Sequence, residues 1–122
     1  MKFLSPKLHG LGDYAAAVAL IIGPFVFDVA AQSVIAHWFS IAGGVGLIVY
    51  SLFTDYTFSL AGRIPFKVHL LLDIAAGIGF LVVPVALGLT GMVSTYFYVM
   101  GAGVLLVVAV TDSQGRAVGH AN

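Results

Sequence analysis

The chain has 122 residues, of which 61% are hydrophobic and only 8% charged, with zero net charge and no cysteine. Its mean hydropathy is +1.10. A soluble domain is about 45–50% apolar and 25% charged, so this composition belongs to a chain that lives in lipid. The missing cysteines exclude disulfides, thiolate metal sites, iron–sulfur clusters and covalent haem attachment. The lack of a basic stripe argues against nucleic acid as a partner.

Four apolar stretches follow one another, near Leu8–Phe27, Val34–Phe53, Val68–Leu87 and Val93–Val110. Each approaches the ~20 residues needed to cross a bilayer core. The first has a rival reading as a secretory signal, with Lys2 and Lys7 before it and Val29-Ala30-Ala31 after it. That reading fails because the same segment recurs inside the chain. Lys7, His9, Asp13, Ala15, Ala16 and Pro24 reappear 60 residues later as Lys67, His69, Asp73, Ala75, Ala76 and Pro84. Gly44, Gly46, Thr54 and Asp55 reappear 57 residues later as Gly101, Gly103, Thr111 and Asp112. Such self-similarity predicts a tandem duplication. The expected architecture is all-α: a single four-helix transmembrane bundle over residues 1–122, made of two parallel helical-hairpin repeats at about 5–58 and 64–114.

Basic residues set the expected orientation. Lys2 and Lys7 precede the first stretch, Arg63 and Lys67 separate the second from the third, and Arg116 follows the fourth. The remaining connections, around Asp28–Gln32 and Gly88–Gly91, have neither lysine nor arginine. By the positive-inside rule, both termini and the central loop are cytoplasmic. Trp38 and Tyr96-Phe97-Tyr98 are then expected as anchors at the outer interface, and Tyr56 and Phe58 at the inner one. Small residues, including Gly43, Gly44, Gly46, Gly77, Gly101 and Gly103, are expected at helix contacts, where close backbone approach replaces the missing hydrophobic drive. Their number also suggests a homodimer or a larger membrane complex.

Polar residues are scarce, and they recur. His9 and Asp13 are one turn apart, as are His69 and Asp73, so each pair shares a helix face. Asp55 and Asp112 end the second and fourth helices on the same side. A carboxylate there opposes the macrodipole and wants a cation, for which Lys7, Arg63 and Lys67 are candidates. The six residues His9, Asp13, His69, Asp73, Asp55 and Asp112 therefore form a candidate cluster. One account is structural, with each aspartate bonded to the histidine of its own helix. A second is a divalent metal such as zinc, manganese or iron, held by His9, Asp13, His69 and Asp73. A third is proton carriage, and the least favoured is a b-type haem between the two histidines. His37, Ser5, Ser113 and His120 read as ordinary surface or tail residues. No nucleophile triad, P-loop or metalloprotease helix is present, so the sequence points to an accessory, scaffold or binding protein rather than an enzyme.

Asp13 with Pro24 and Asp73 with Pro84, each in a Gly/Ala-rich helix, resemble the SPW-repeat membrane proteins. Gly23-Pro24-Phe25 and Val83-Pro84-Val85 stand where those proteins have Ser-Pro-Trp. Lys7-Leu8-His9-Gly10, Thr54-Asp55-Tyr56 and Ile64-Pro65-Phe66-Lys67-Val68-His69 resemble segments of a group of bacterial four-helix integral membrane proteins. That resemblance implies a bacterial inner-membrane location and carries no activity with it.

The basic asymmetry makes a direct test available. Cysteines placed at Gly62 and Ser113 are expected to resist an impermeant thiol reagent added outside the cell, while one at Gln32 reacts. External labelling at both Gly62 and Ser113 refutes the orientation.

Overall fold

The computed structural model describes residues 3–54 and 63–111. Within them run four helices: α1 Pro6–Val26, α2 Val34–Phe53, α3 Phe66–Leu87 and α4 Gly91–Val110. Each is long and apolar enough to cross a membrane. No extended strand occurs among the described residues, only two isolated bridges. Asp55, Asp112, Tyr56, Phe58, Ser113, Arg116 and His120 lie outside the described residues.

Serine side chains cap the first two helices, with α1 beginning two residues before its apolar stretch and α2 at Val34 as expected. Ser5 is buried and accepts from the Leu8 amide, with Pro6 pre-set for the first turn. Ser5 is therefore a cap, not the tail residue that its position suggests. Ser33 does the same for α2 by accepting from the Ala36 amide. At the other end of α3, Gly88 takes a left-handed conformation with φ of 64°, and its amide closes on Pro84 O. Only glycine does this without strain, which is why the helix stops there.

Helices pack mainly within the hairpins α1–α2 and α3–α4, and α2 meets α3 between them. In each hairpin one glycine sets the distance. A Cβ on Gly44 would stand 2.7 Å from the Ala17 carbonyl, and one on Gly101 would stand 2.8 Å from the Gly77 carbonyl. Ala17 and Gly77 are 60 apart, Gly44 and Gly101 57 apart, so the same contact is made twice. Gly46 and Gly103, expected at helix contacts, behave differently: a Cβ on either meets nothing within 4 Å. These two border open space between the hairpins.

Pro24 and Pro84 lie inside α1 and α3, each removing one helix donor. In α1 the orphaned acceptor is Leu20 O, and Ser40 Oγ of α2 donates to it at 2.8 Å. Ser40 has one hydroxyl hydrogen, so the 2.6 Å contact with Tyr96 requires the Tyr96 hydroxyl to donate. Tyr96 thus reaches from α4 into the first hairpin and packs its ring on Gly23. This corrects the interfacial role expected for Tyr96 and Phe97. Both are buried, and Phe97 stacks on Phe80 with centroids 5.2 Å apart. Trp38 and Tyr98 are exposed, as anchors require. His37 is another correction: it is buried against Phe25 and Trp38 instead of lying on the surface.

The two glycine classes predict opposite outcomes. Gly44→Ala and Gly101→Ala force backbone apart and are expected to cost about 1–3 kcal/mol. Gly46→Ala and Gly103→Ala meet nothing and are expected to be neutral or to gain up to about 1 kcal/mol from helix propensity. Melting of the four variants in detergent checks this, and equal losses at Gly44 and Gly46 refute it.

Candidate metal centre

His9 and Asp13 begin α1, and His69 and Asp73 begin α3, so all four meet at the bundle end that carries the α2–α3 connection. At 1.5 Å per residue, Asp13 sits about 10 Å along its helix from Pro6. None of the four is more than 7% exposed. Burying four ionisable groups in a low-dielectric bundle is tolerable only where each is compensated.

The compensation crosses between hairpins. His9 Nε2 lies 2.8 Å from Asp73 Oδ2, and His69 Nε2 lies 2.8 Å from Asp13 Oδ2. The contacts within one helix are longer, 3.2 Å for His9–Asp13 and 3.3 Å for His69–Asp73. Sequence spacing pointed to the aspartate one turn away, but the shorter bond in each case is to the other helix. The structure therefore joins His9, Asp13, His69 and Asp73 as expected, with the pairing exchanged.

Two threonines orient the imidazoles. His9 Nδ1 lies 2.9 Å from Thr111 Oγ1, and His69 Nδ1 lies 2.8 Å from Thr54 Oγ1. Each threonine hydroxyl already gives its hydrogen to its own helix, Thr54 to Tyr50 O at 2.6 Å and Thr111 to Val107 O at 2.5 Å. With that hydrogen spent, each threonine must accept, so each Nδ1 carries a proton. Every Nε2 is left facing the carboxylates. Extended stubs hold the threonines in place: the Leu4 amide donates to Val110 O and the Ile64 amide to Phe53 O. Thr111 thus lies beside the start of α1 and Thr54 beside the start of α3.

Sequence reasoning marked Thr54-Asp55 and Thr111-Asp112 but gave the chemistry to the aspartates. Asp55 and Asp112 fall outside the described residues, whereas Thr54 and Thr111 are fully buried members of the site. Tyr50 was missed altogether. Its hydroxyl donates to Asp73 Oδ1 at 2.6 Å, and its ring meets the His69 ring edge-on at 4.8 Å. The only advance signal was a lone tyrosine on an apolar helix. Lys7, Arg63 and Lys67 are exposed, and the ion pairs among the described residues run only between these histidines and aspartates. The pairing expected between these bases and Asp55 or Asp112 lies outside the described residues.

One ligand atom from each of the four residues falls within 4.8 Å of all the others. A tetrahedral ion with bonds of about 2.0–2.1 Å has ligand–ligand edges of about 3.3 Å. The nitrogen–oxygen contacts of 2.8–3.3 Å are close to such edges, while the widest separation in the set, up to 4.8 Å, has to contract around an ion. A haem does not fit the same space, because the carboxylates lie between the two rings, whose centroids are 5.5 Å apart. No family model, no curated protein and no solved structure matches this chain.

Thr54→Val keeps the shape and removes the acceptor for His69 Nδ1–H. Leaving that buried donor unpaired is expected to cost about 1–3 kcal/mol, while Thr54→Ser costs less. Thermal melting of both variants in detergent decides it, and a Val variant as stable as the parent removes the orienting role.

Proposed function

We propose that this multi-pass membrane protein binds one divalent transition-metal ion through His9 Nε2, His69 Nε2 and one oxygen each from Asp13 and Asp73. The observation that carries this reading is that each Nδ1 lies 2.8–2.9 Å from a threonine hydroxyl whose own hydrogen is directed at its helix. Each Nδ1 proton is directed at a threonine, which turns the lone pair of a neutral imidazole towards the carboxylates. Lone pairs facing carboxylates repel one another unless a cation lies between them. A second proton on each ring or a shared metal ion answers that need. A divalent ion balances two carboxylates exactly in charge, which a low-dielectric site rewards. The donor set of two nitrogens and two oxygens suits zinc, manganese, iron or cobalt better than calcium or magnesium. The threonines supply the outer support that metal-bound histidines characteristically have.

With four protein ligands, the ion is structural or carried, and the protein acts as an accessory or binding component of the membrane and not as an enzyme. The basic residues support a placement with both termini in the cytoplasm, and the resemblance to bacterial four-helix proteins supports the bacterial inner membrane. A second reading rests on the two 2.8 Å contacts, of which His9–Asp73 is a buried hydrogen bond and His69–Asp13 an ion-pair contact. In that case the cluster is a metal-free clamp between the hairpins.

Elemental analysis separates the two. Protein purified without chelator is expected to hold about one divalent ion per chain. Asp13→Asn and Asp73→Asn are expected to lower its affinity strongly, and Thr54→Val by about 10–100-fold. A metal-free protein that takes up no zinc, manganese or iron in equilibrium dialysis, but melts lower when Asp13 or Asp73 is changed, establishes the clamp instead.

A further inference from the structure

A cavity of about 450 Å³ lies between the hairpins and reaches the cluster at one end. All four helices contribute to its wall, which is apolar except where Asp13, Asp73 and Tyr50 border it. A second space of about 550 Å³ runs between α1 and α4 past Gly23 and Val26, and it shares Val99 and Met100 with the first. The two spaces adjoin at Val99 and Met100, and together they flank α1 from Asp13 to Val26, about 20 Å at 1.5 Å per residue.

Glycines keep this room open. Gly12, Gly46 and Gly103 border the inner cavity, and a Cβ on any of them meets nothing within 4 Å. They do not bring helices together, as Gly44 and Gly101 do. A glycine in a helix interior is a poor choice unless something needs the space. An apolar space of this size is not stably filled by water, and it matches the volume of small-molecule sites.

We propose that this space is a binding site for a neutral, lipid-soluble molecule with an extended apolar tail and a hydroxyl head, phenolic or alcoholic, which donates to Asp13 or Asp73. The polar border determines the head. Tyr50 gives its hydrogen to Asp73, so the border presents acceptors, and a carbonyl or ether head finds no donor there. A carboxylate has about four lone-pair directions, so Asp13 and Asp73 accept a further bond alongside their histidine contacts. Charge determines the rest. The two aspartates are balanced by two imidazolium rings or by a divalent ion, so a cationic head is left uncompensated and an anionic head is repelled. The proposal holds for either state of the cluster and does not depend on a bound metal.

The test uses 4-dodecylphenol and its methyl ether, which share a tail and differ in the donor. The full chain in detergent is offered both at equal concentration, and retained adducts are counted by native mass spectrometry. A single phenol adduct is expected to exceed the ether adduct about tenfold or more, the value of one hydrogen bond to a charged acceptor. Gly46→Leu and Gly103→Leu, which fill the cavity, are expected to abolish the preference, while Gly46→Ala retains fold and binding. Metal content measured on the same samples is expected to be unchanged by Gly46→Leu, which separates this result from the metal reading. Equal adducts of phenol and ether mean apolar filling by any lipid chain and overturn the proposal. A preference that survives both leucine variants overturns it as well, because the phenol then binds elsewhere.

Discussion

Everything at the polar end of this bundle depends on the exchange of partners between His9–Asp73 and His69–Asp13. Four ionisable groups under apolar cover are costly, and a partner within the same helix does not meet the cost at 3.2–3.3 Å. The 2.8 Å contacts to the opposite hairpin do. Each histidine also takes its orienting threonine from beyond its own helix: Thr111 ends α4 and serves α1, and Thr54 ends α2 and serves α3. A hairpin alone would bury a carboxylate and an imidazole without their best partners. Lipid gives apolar helices little reason to associate through hydrophobicity. Polar interlocking and close glycine contacts therefore take over that task, the first between hairpins and the second within them.

Threonine solves a problem that a stronger donor would not. A side chain able both to donate and to accept leaves the imidazole tautomer open. Thr54 and Thr111 close that choice by giving their hydrogen to the carbonyl four residues back, in the last turn, where helix carbonyls lack amide partners. One residue type thus satisfies a helix end and fixes a ring in the same geometry. The adjacent stub amides, Leu4 to Val110 O and Ile64 to Phe53 O, treat the neighbouring carbonyls the same way.

Much of this was legible beforehand, and the reasons are physical. Helix number and approximate span follow from runs of apolar residues, and the cluster follows from polar residues recurring where polarity is costly. Partner choice was not legible. The spacing of His9 and Asp13 puts them on one face but says nothing of how α1 meets α3, which is a tertiary distance. The threonines were overlooked because a charged neighbour outranks a hydroxyl in any reading by polarity, although a hydroxyl is what a buried imidazole can use. Nor does sequence separate a contact glycine from one beside a void. Gly44 and Gly46 sit two residues apart on one helix, about 200° around its axis. Only the backbone of the next helix distinguishes them.

Among positions 57 or 60 residues apart, three differences touch contacts described above, and two of these residues, Tyr50 and Gly12, border the space between the hairpins. Tyr50, which bonds Asp73, corresponds to Val107; Ser40, which relieves Leu20 O, corresponds to Phe97; and Gly12, beside open space, corresponds to Leu72. The histidine, aspartate and threonine contacts of the cluster recur in both hairpins, whereas Tyr50 and Gly12 at the cavity correspond to Val107 and Leu72 at the matching offsets. A symmetric pair of hairpins would present two equivalent aspartates to anything entering from lipid. Tyr50 removes that equivalence by occupying one oxygen of Asp73, and Gly12 clears room one residue before Asp13. The histidine–aspartate contacts can therefore remain nearly symmetric while the approach to them is one-sided.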